Sequence, residues 1–159
     1  MQKSAVLRRS TIAGAVVAVL ALVVVTVPAA GTPSSGVVSA LLGRGTNSDR
    51  VRVTTRDVKL VTTGPTDVVT QVLTFQPGGT SGWHGHPGAV LVVVKSGTFT
   101  RYDARCNARV YTTGQAFVEG PEVAMVRNTG PEPAESVVTY LVPAGSPLRT
   151  DAASPCPGL

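Results

Sequence analysis

The sequence has 159 residues, enough for one domain of ordinary size, and its 14 Lys and Arg outnumber its 9 Asp and Glu, a formal charge of +5. Three of the basic residues and none of the acids lie in residues 1–30, so residues 31–159 carry 11 − 9 = +2. That part of the chain has no cluster of basic and aromatic residues, which argues against nucleic acid as a partner.

The N-terminal segment has the pattern of a targeting sequence. Basic residues precede an uncharged apolar run at 12–27, and small residues follow at 27–31, as in a signal peptide that is cleaved after export. Residues 12–30 are also nearly long enough for an apolar helix that anchors the chain in a membrane, which is the alternative. Either interpretation of residues 1–30 predicts a secreted or extracytoplasmic protein whose only membrane contact is this segment.

The next stretch differs in composition from the rest of the chain. Residues 31–49 consist mostly of Gly, Ser, Thr and Pro around an apolar patch at 37–42, which predicts a flexible linker. We therefore expect the folded domain to occupy residues 50–147 and a C-terminal tail to follow at 148–159.

The domain is predicted to be all-β. Eight short runs are rich in Val, Thr and aromatic residues, and Gly, Pro, Asn or Asp separates most of them, with Pro77-Gly78-Gly79 as one of the turns. No long 3.6-residue period occurs in this part of the sequence, so the pattern favours a barrel or a sandwich of β-strands. The predicted strands are 51–60, 68–75, 90–95, 98–103, 109–111, 116–119, 124–127 and 136–142.

Both histidines of the chain, His84 and His86, lie in the segment GWHGHPG at residues 82–88. If this segment is extended, the two side chains point to the same face of a strand. Two neutral imidazoles can bind a divalent metal ion, but a stable site usually has a third or fourth ligand. The pair alone therefore leaves the presence of a metal site open.

The spacing around the histidines resembles the first motif of the cupin superfamily, G-x5-H-x-H-x3,4-E-x6-G. Gly78, His84, His86 and Gly97 match this motif. Val90 stands where cupins have a metal-binding Glu, so one ligand of the family is missing from its usual place.

The second cupin motif, G-x5-P-x-G-x2-H-x3-N, is recognisable between Gly114 and Asn128, although Pro121 stands one place late. The family's third His falls on Ala124 when the motif is aligned on Asn128, and on Met125 when it is aligned on Gly114. Either alignment replaces that ligand with an apolar residue.

The resemblance covers about residues 68–144 and implies a small single-domain cupin, with the jelly-roll β-barrel of the cupin type-2 conserved domain. Because cupins often dimerise through barrel sheets, a homodimer is also an expectation. A complete cupin site holds Fe, Mn, Ni or Zn with three His and one Glu. Replacing the carboxylate by Val90 removes a bond and a compensating charge, so the resemblance implies a degenerate site: no cofactor, or one of these metals held weakly by His84 and His86.

Three interpretations of the histidine pair remain open. The side chains are barrel residues bonded to backbone or water, or they bind a metal weakly with a borrowed oxygen ligand. In the third, one of them is a general base without a metal, paired with Tyr102 or Tyr140, as in some cupin sugar epimerases. The oxygens available for a borrowed ligand belong to Gln71, Tyr102, Asp103, Glu119 and Glu122.

The preferred function is non-catalytic, a small-molecule-binding or structural barrel. Its predicted pocket is lined by Trp83, Val90, Met125 and the two histidines, since ligand pockets are mostly apolar with a few polar groups. The alternative is an enzyme, because this fold hosts both. It would be a metal-dependent oxidoreductase of the dioxygenase type, or a metal-free isomerase that uses His84 and His86.

Cys106 and Cys156 are the only two cysteines of the chain. In an exported protein a single pair is predicted to form a disulfide. It would tether the C-terminal tail to the domain and contribute about 4 kcal/mol in the chain-entropy model. Two free thiols are the alternative.

Overall fold

A computed structural model describes residues 31–159 of the protein. These residues form twelve β-strands, and among them there is no helix that is long and apolar enough to cross a membrane. The apolar helix and the signal or anchor segment predicted for residues 1–30 lie outside the described residues.

The strands range from two to fifteen residues in length, and every pair of neighbouring strands is antiparallel. In chain order they are β1 (Ser35–Asn47), β2 (Arg52–Thr54), β3 (Lys59–Val61), β4 (Thr66–Thr80), β5 (His84–Gly85), β6 (Ala89–Ser96), β7 (Thr98–Asp103), β8 (Ala108–Thr112), β9 (Ala116–Glu119), β10 (Ala124–Asn128), β11 (Ala134–Pro143) and β12 (Thr150–Asp151).

Ten of the strands form one sheet that curls into a nearly closed barrel. The longest strand, β4, pairs with β1 and with β11, and the order continues from β11 through β6 to β9. In the other direction β10 links β4 to β5, and β5 pairs with β12. β2 and β3 form a separate two-stranded sheet. The prediction of an all-β barrel is confirmed.

The alternation of side chains along the strands accounts for the core. In β6, Val90, Val92 and Val94 are buried, whereas the residues between them are exposed. Because successive side chains of a strand point to opposite faces, these three valines point into the barrel. Burying a side chain of this size contributes about 1.5–3 kcal/mol relative to leaving it exposed. The same alternation in β11 buries Ser136, Val138, Tyr140 and Val142.

The flexible linker predicted for residues 31–49 is wrong for most of its length, because β1 occupies it. This strand pairs with β4 along nearly all of its thirteen residues. Strand pairing uses main-chain groups, which Gly, Ser and Thr supply as well as larger residues do. Arg44 and Thr46 of β1 also donate hydrogen bonds to the buried Asp67 carboxylate on β4. The barrel therefore begins at β1 rather than at residue 50.

Two local predictions also differ from the structure. The turn predicted at Pro77-Gly78-Gly79 lies inside β4, where β1 and β4 come unusually close. A Cβ on Gly79 would stand 2.7 Å from the carbonyl oxygen of Gly36, so the glycine permits this approach and does not reverse the chain. The single strand predicted at 51–60 is instead two strands, β2 and β3.

Candidate metal centre

The two histidines lie where three strands meet. His84 is on β5, which pairs with β12 and, at Ala124, with β10. His86 follows β5 directly, and its main-chain N–H donates to the carbonyl of Gly120 at 2.9 Å. Because Gly120 comes directly after β9, this hydrogen bond brings the last residue of β9, Glu119, to the histidines.

Glu119 completes a buried group of three side chains. Its Oε2 lies 3.5 Å from Nε2 of His86 and 3.9 Å from Nε2 of His84. One nitrogen or oxygen of each residue lies within 4.8 Å of the others, and the residues are at most 7% exposed. Imidazole nitrogen and carboxylate oxygen are the atoms with which proteins bind divalent transition metals, together with thiolate.

Main-chain carbonyls fix the orientation of both imidazole rings. Nδ1 of His84 donates to the carbonyl of Gly82 at 2.9 Å, and Nδ1 of His86 donates to the carbonyl of Leu148 at 2.7 Å. A carbonyl only accepts, so Nδ1 holds the proton and Nε2 of the neutral ring presents a lone pair. Nε2 of His86 is buried and has no hydrogen-bond partner among residues 31–159. Metal-binding histidines are held in this way.

The two carboxylate oxygens of Glu119 have different partners. Nε of Arg101, on β7, donates to Oε1 at 3.2 Å, which leaves Oε2 to face the histidines. Burial raises the pKa of Glu119, but the side chains of His86, His84 and Arg101 together bring this pKa below its ordinary value. The carboxylate is therefore ionised at neutral pH.

The group is thus made of acceptors that face one another. Burial lowers the pKa of His84 against the raising effects of Glu119 and the carbonyl of Gly82, so the neutral ring is favoured at neutral pH. Two lone pairs and one carboxylate oxygen then converge on a single buried point. Such an arrangement is stabilised by a cation bound between the three atoms.

Val90 and Glu119 are directly opposite each other on neighbouring strands. The pair is part of the ladder between β6 and β9, and both side chains are buried in the barrel. Directly paired residues share one face of a sheet, with Cβ atoms about 4.5–5.5 Å apart. The carboxylate missing at Val90 is therefore supplied from the neighbouring strand, and of the five oxygen donors considered from the sequence it is Glu119 that joins the histidines.

Ala124, rather than Met125, occupies the position where the cupin motif has its third histidine. Ala124 is paired directly with His84 and is 2% exposed, so its methyl group lies on the same face as the imidazole. Met125 points to the other face, where it packs against Trp83 and Cys156. The alignment anchored on Asn128 is thus the one that agrees with the structure.

Comparisons with known proteins agree with the barrel. No family model matches the sequence, and no curated protein matches it. Solved structures do match in part. An oxalate oxidase in complex with the substrate analogue glycolate is 27% identical, with 45% of this chain and 40% of that chain covered and a TM-score of 0.41. This chain thus spans well under two thirds of the length of that oxidase.

Two bacterial proteins match over more of the chain. An uncharacterized conserved protein with a double-stranded beta-helix domain from Klebsiella pneumoniae is 22% identical, covering 67% of this chain and 86% of that one at a TM-score of 0.47. A cupin superfamily protein from Desulfitobacterium hafniense is 13% identical, covering 67% and 77% at a TM-score of 0.47.

The barrel contains a cavity of about 280 Å³ beside the three side chains. His84, His86 and Val90 line it, as the sequence predicts. Trp83 and Met125 do not, and both pack in a separate cluster with Cys156. The prediction for these two residues is wrong because each adjoins an inward-pointing residue, and neighbours along a strand point to opposite faces.

The other proposed oxygen donors lie outside the three-residue group. Glu122 is exposed, Tyr102 packs beside Trp83, and Asp103 accepts hydrogen bonds from its own loop at Asn107. Gln71 lines the cavity and is paired with Val138 of β11.

Two arginines of this region were not predicted from the sequence. Arg101 and Arg149 line or adjoin the site, and Arg101 is two residues from the buried Phe99 on the same strand face. That period of two is the signal that could have placed Arg101 inside the barrel.

The predicted disulfide between Cys106 and Cys156 is confirmed, and neither cysteine is a free thiol. The residues predicted as a C-terminal tail, 148–159, are bound to the barrel. β12 pairs with β5, and the N–H of Ala152 donates to the carbonyl of Trp83 at 2.8 Å. This segment therefore forms part of the wall behind the histidines.

Proposed function

We propose that the protein binds a divalent transition-metal ion inside its cupin barrel through His84, His86 and Glu119. The observation that carries the proposal is the convergence of two imidazole lone pairs and an ionised carboxylate oxygen, with distances of 3.5 and 3.9 Å to Glu119. Imidazole ligands suit Zn, Cu, Fe and Ni. The sequence favoured a site with no cofactor, and the position of Glu119 is the reason to propose one.

The chain supplies three kinds of support for such an ion. Nε2 of each histidine would bind it, while the carbonyls of Gly82 and Leu148 keep each ring in place. Arg101 holds one oxygen of Glu119 and leaves the other free. A bound ion supplies Lewis acidity to an oxygen of a ligand, and two His with one carboxylate is also the set used by non-haem iron oxygenases. The adjoining cavity gives a ligand access to that ion.

The test is a metal titration of the full-length protein. Purified protein is stripped with chelator and titrated with Zn²⁺, Fe²⁺, Mn²⁺ and Ni²⁺, and bound metal is counted by elemental analysis. We expect one ion per chain in the wild type and in Glu122→Gln, whose acid is exposed near the same loop. Glu119→Gln and His84→Ala should lose it. Equal metal content in Glu119→Gln and the wild type would refute the proposed ligand set.

A second candidate is metal-free proton transfer. Tyr140 lies beside His86, with ring centroids 5.7 Å apart, and burial raises the pKa of Tyr140 to about 12, so its hydroxyl stays protonated at neutral pH. Tyr102, the other tyrosine considered from the sequence, lies outside the cavity. No metal uptake by a folded wild-type protein in the titration above would favour this candidate.

We also propose that the protein is exported to an oxidising compartment. The disulfide between Cys106 and Cys156 supports this location, because such bonds persist outside the reducing cytosol. Thiol labelling of fractionated cells tests it: the extracytoplasmic fraction should contain protein without free thiols. A homodimer stays an expectation of the resemblance, and sedimentation of the exported protein checks it.

A further inference from the structure

The lining of the cavity beside the proposed metal centre changes from polar to mostly apolar along the strands. Next to the ligands, one layer of the barrel contains Val90, Glu119 and Tyr140, which are paired across β9, β6 and β11. Two residues further along the same strands, the layer contains Val92, Phe117 and Val138, with Gln71 of β4 paired with Val138 at its side. Two residues of a strand span about 6.6 Å. The cavity therefore has a polar end at the ligands and an apolar end one layer deeper.

The apolar end has room for a small hydrocarbon. Phe75, Phe99 and Val126 add to its lining, and all three are at most 6% exposed. The cavity volume of about 280 Å³ exceeds the roughly 150 Å³ of a cavity that holds benzene. The remaining volume is sufficient for a head group at the polar end.

The charges at the polar end favour an anionic head group once an ion is bound. Arg101 is paired with Glu119, and Arg149 is paired with Asp151. These four charges cancel, so a divalent ion leaves two positive charges without a partner. Burying unpaired charge is costly, and an anion bound to the ion reduces that cost. Arg149 also lines the cavity, and its charge lowers the pKa of Tyr140 against the larger effect of burial.

We infer that the ligand of this cavity is a small monocarboxylate with an apolar body. Its carboxylate faces the ion and Arg149, and its hydrocarbon lies among Val92, Phe117 and Val138. A dicarboxylate of the same length would place its second charge in this layer, where the lining offers the neutral amide of Gln71 but no cationic side chain. A neutral alcohol of the same length fills the apolar layer but leaves the charge of the ion unbalanced. The inference rests on the proposed metal site.

Calorimetric titration of zinc-loaded full-length protein tests this preference. Hexanoate, 1-hexanol and adipate, three compounds with the same six-carbon chain, are the probes, and zinc is counted after each titration, because a dicarboxylate can extract the metal. We expect hexanoate to bind at least about tenfold more tightly than either other probe, a difference near 1.4 kcal/mol. Protein that takes up no zinc contradicts the proposed function. Zinc-loaded protein that binds adipate or hexanol as tightly as hexanoate overturns the inference alone.

Two matched pairs of variants locate the ligand. Arg149→Met should weaken hexanoate about tenfold and leave hexanol unchanged, whereas Arg105→Met, at an exposed arginine outside the cavity, should change neither. Val138→Thr should weaken both probes several-fold, and its control is Val118→Thr, which is 63% exposed on the outer face. Unchanged hexanoate binding in zinc-loaded Arg149→Met would remove the assigned role of that residue and, with it, the proposed position of the carboxylate.

Discussion

The two halves of the candidate metal centre are supported in different ways. On the histidine side, His84 and His86 are held by main-chain carbonyls, whose positions follow from strand pairing and from the C-terminal segment. On the carboxylate side, Glu119 is held by the side chain of Arg101. A main-chain carbonyl moves only with its strand, whereas a side chain has rotamers of its own. The main chain of the barrel therefore sets the geometry of the histidine side, whereas the geometry of the carboxylate side depends on individual side chains.

The largest expected effect comes from moving the carboxylate across the strand pair. Glu119→Val should weaken zinc binding by about a thousandfold, near 4 kcal/mol, because it removes a ligand and the only negative charge among the three. Adding Val90→Glu to this variant should restore much of the binding, since the two positions share one face. Competition with a zinc indicator measures both constants.

The single variant Val90→Glu is the control for this exchange. It places two carboxylates opposite each other in the barrel, and their repulsion should lower the stability of the metal-free protein. Zinc should then stabilise this variant more than it stabilises the wild type. An exchanged variant that folds but binds no better than Glu119→Val would show that position 90 does not reach the ligand point.

Removal of the disulfide tests the histidine side. Cys106→Ser with Cys156→Ser should lower the free energy of unfolding by about 4 kcal/mol, because the unfolded chain is no longer cross-linked. Zinc affinity of the folded variant should change less than about threefold, because Leu148 packs against the core independently of the disulfide. Urea unfolding and zinc competition measure the two quantities. Loss of zinc affinity as large as in Glu119→Val would mean that the tail, not the barrel, positions the rings.

Substitution of Arg101 tests the carboxylate side. Arg101→Met should destabilise the metal-free protein by about 2 kcal/mol, a value below that for a fully buried pair because Arg101 is 21% exposed. It should not weaken zinc binding by the same amount, since the uncompensated carboxylate attracts the ion more strongly. Unfolding measured with chelator and then with zinc separates the stability of the metal-free protein from its zinc affinity. Arg105→Met is the matched control. Equal destabilisation under both conditions would contradict this balance of effects.

The smallest expected effect lies away from both halves, where β1 joins the barrel. Hydrogen bonds from Thr46, the main chain at Gly145 and Arg44 lower the pKa of Asp67 to about 2. A carboxyl with a lowered pKa stabilises the fold above its ordinary pKa of 3.8, and that contribution is lost as the pH falls toward 2. The free energy of unfolding of Asp67→Asn should therefore depend less on pH than that of the wild type between these two values. Asp57→Asn, at an exposed aspartate, should follow the wild type.

Composition and turn residues made the central strands of the barrel predictable. The runs that became β6, β9 and β11 are rich in Val and aromatic residues and are bounded by turn residues, whereas their inward face is visible only in the alternating burial of their side chains. β1 has no such signal, because its apolar residues Val38, Leu41 and Leu42 are exposed and its pairing is made by the main chain. The cupin-like spacing located both histidines because they lie in one short segment of the chain, where a linear motif is informative.

The third ligand could not be assigned from spacing alone. Glu119 stood among five oxygen donors with equal claims, and only the register of β9 against β6 distinguishes it. Register depends on which strands pair and on bulges, and a linear motif holds neither. Trp83 and Met125 were misplaced for a related reason. Each is next to an inward-facing residue in the sequence, and neighbouring side chains of an extended chain point to opposite faces.

The pairing of Val90 with Glu119 bears on how such sites evolve and are found. Two facing positions offer the same carboxylate access to one point, so an acid can be gained on one strand before it is lost from the other. Ancestors with both acids, or neither, would connect the two arrangements by single substitutions. Sequence searches that require the acid at a fixed distance from the histidines will pass over every barrel that took this route. A search that accepts the acid at either member of the pair would recover them.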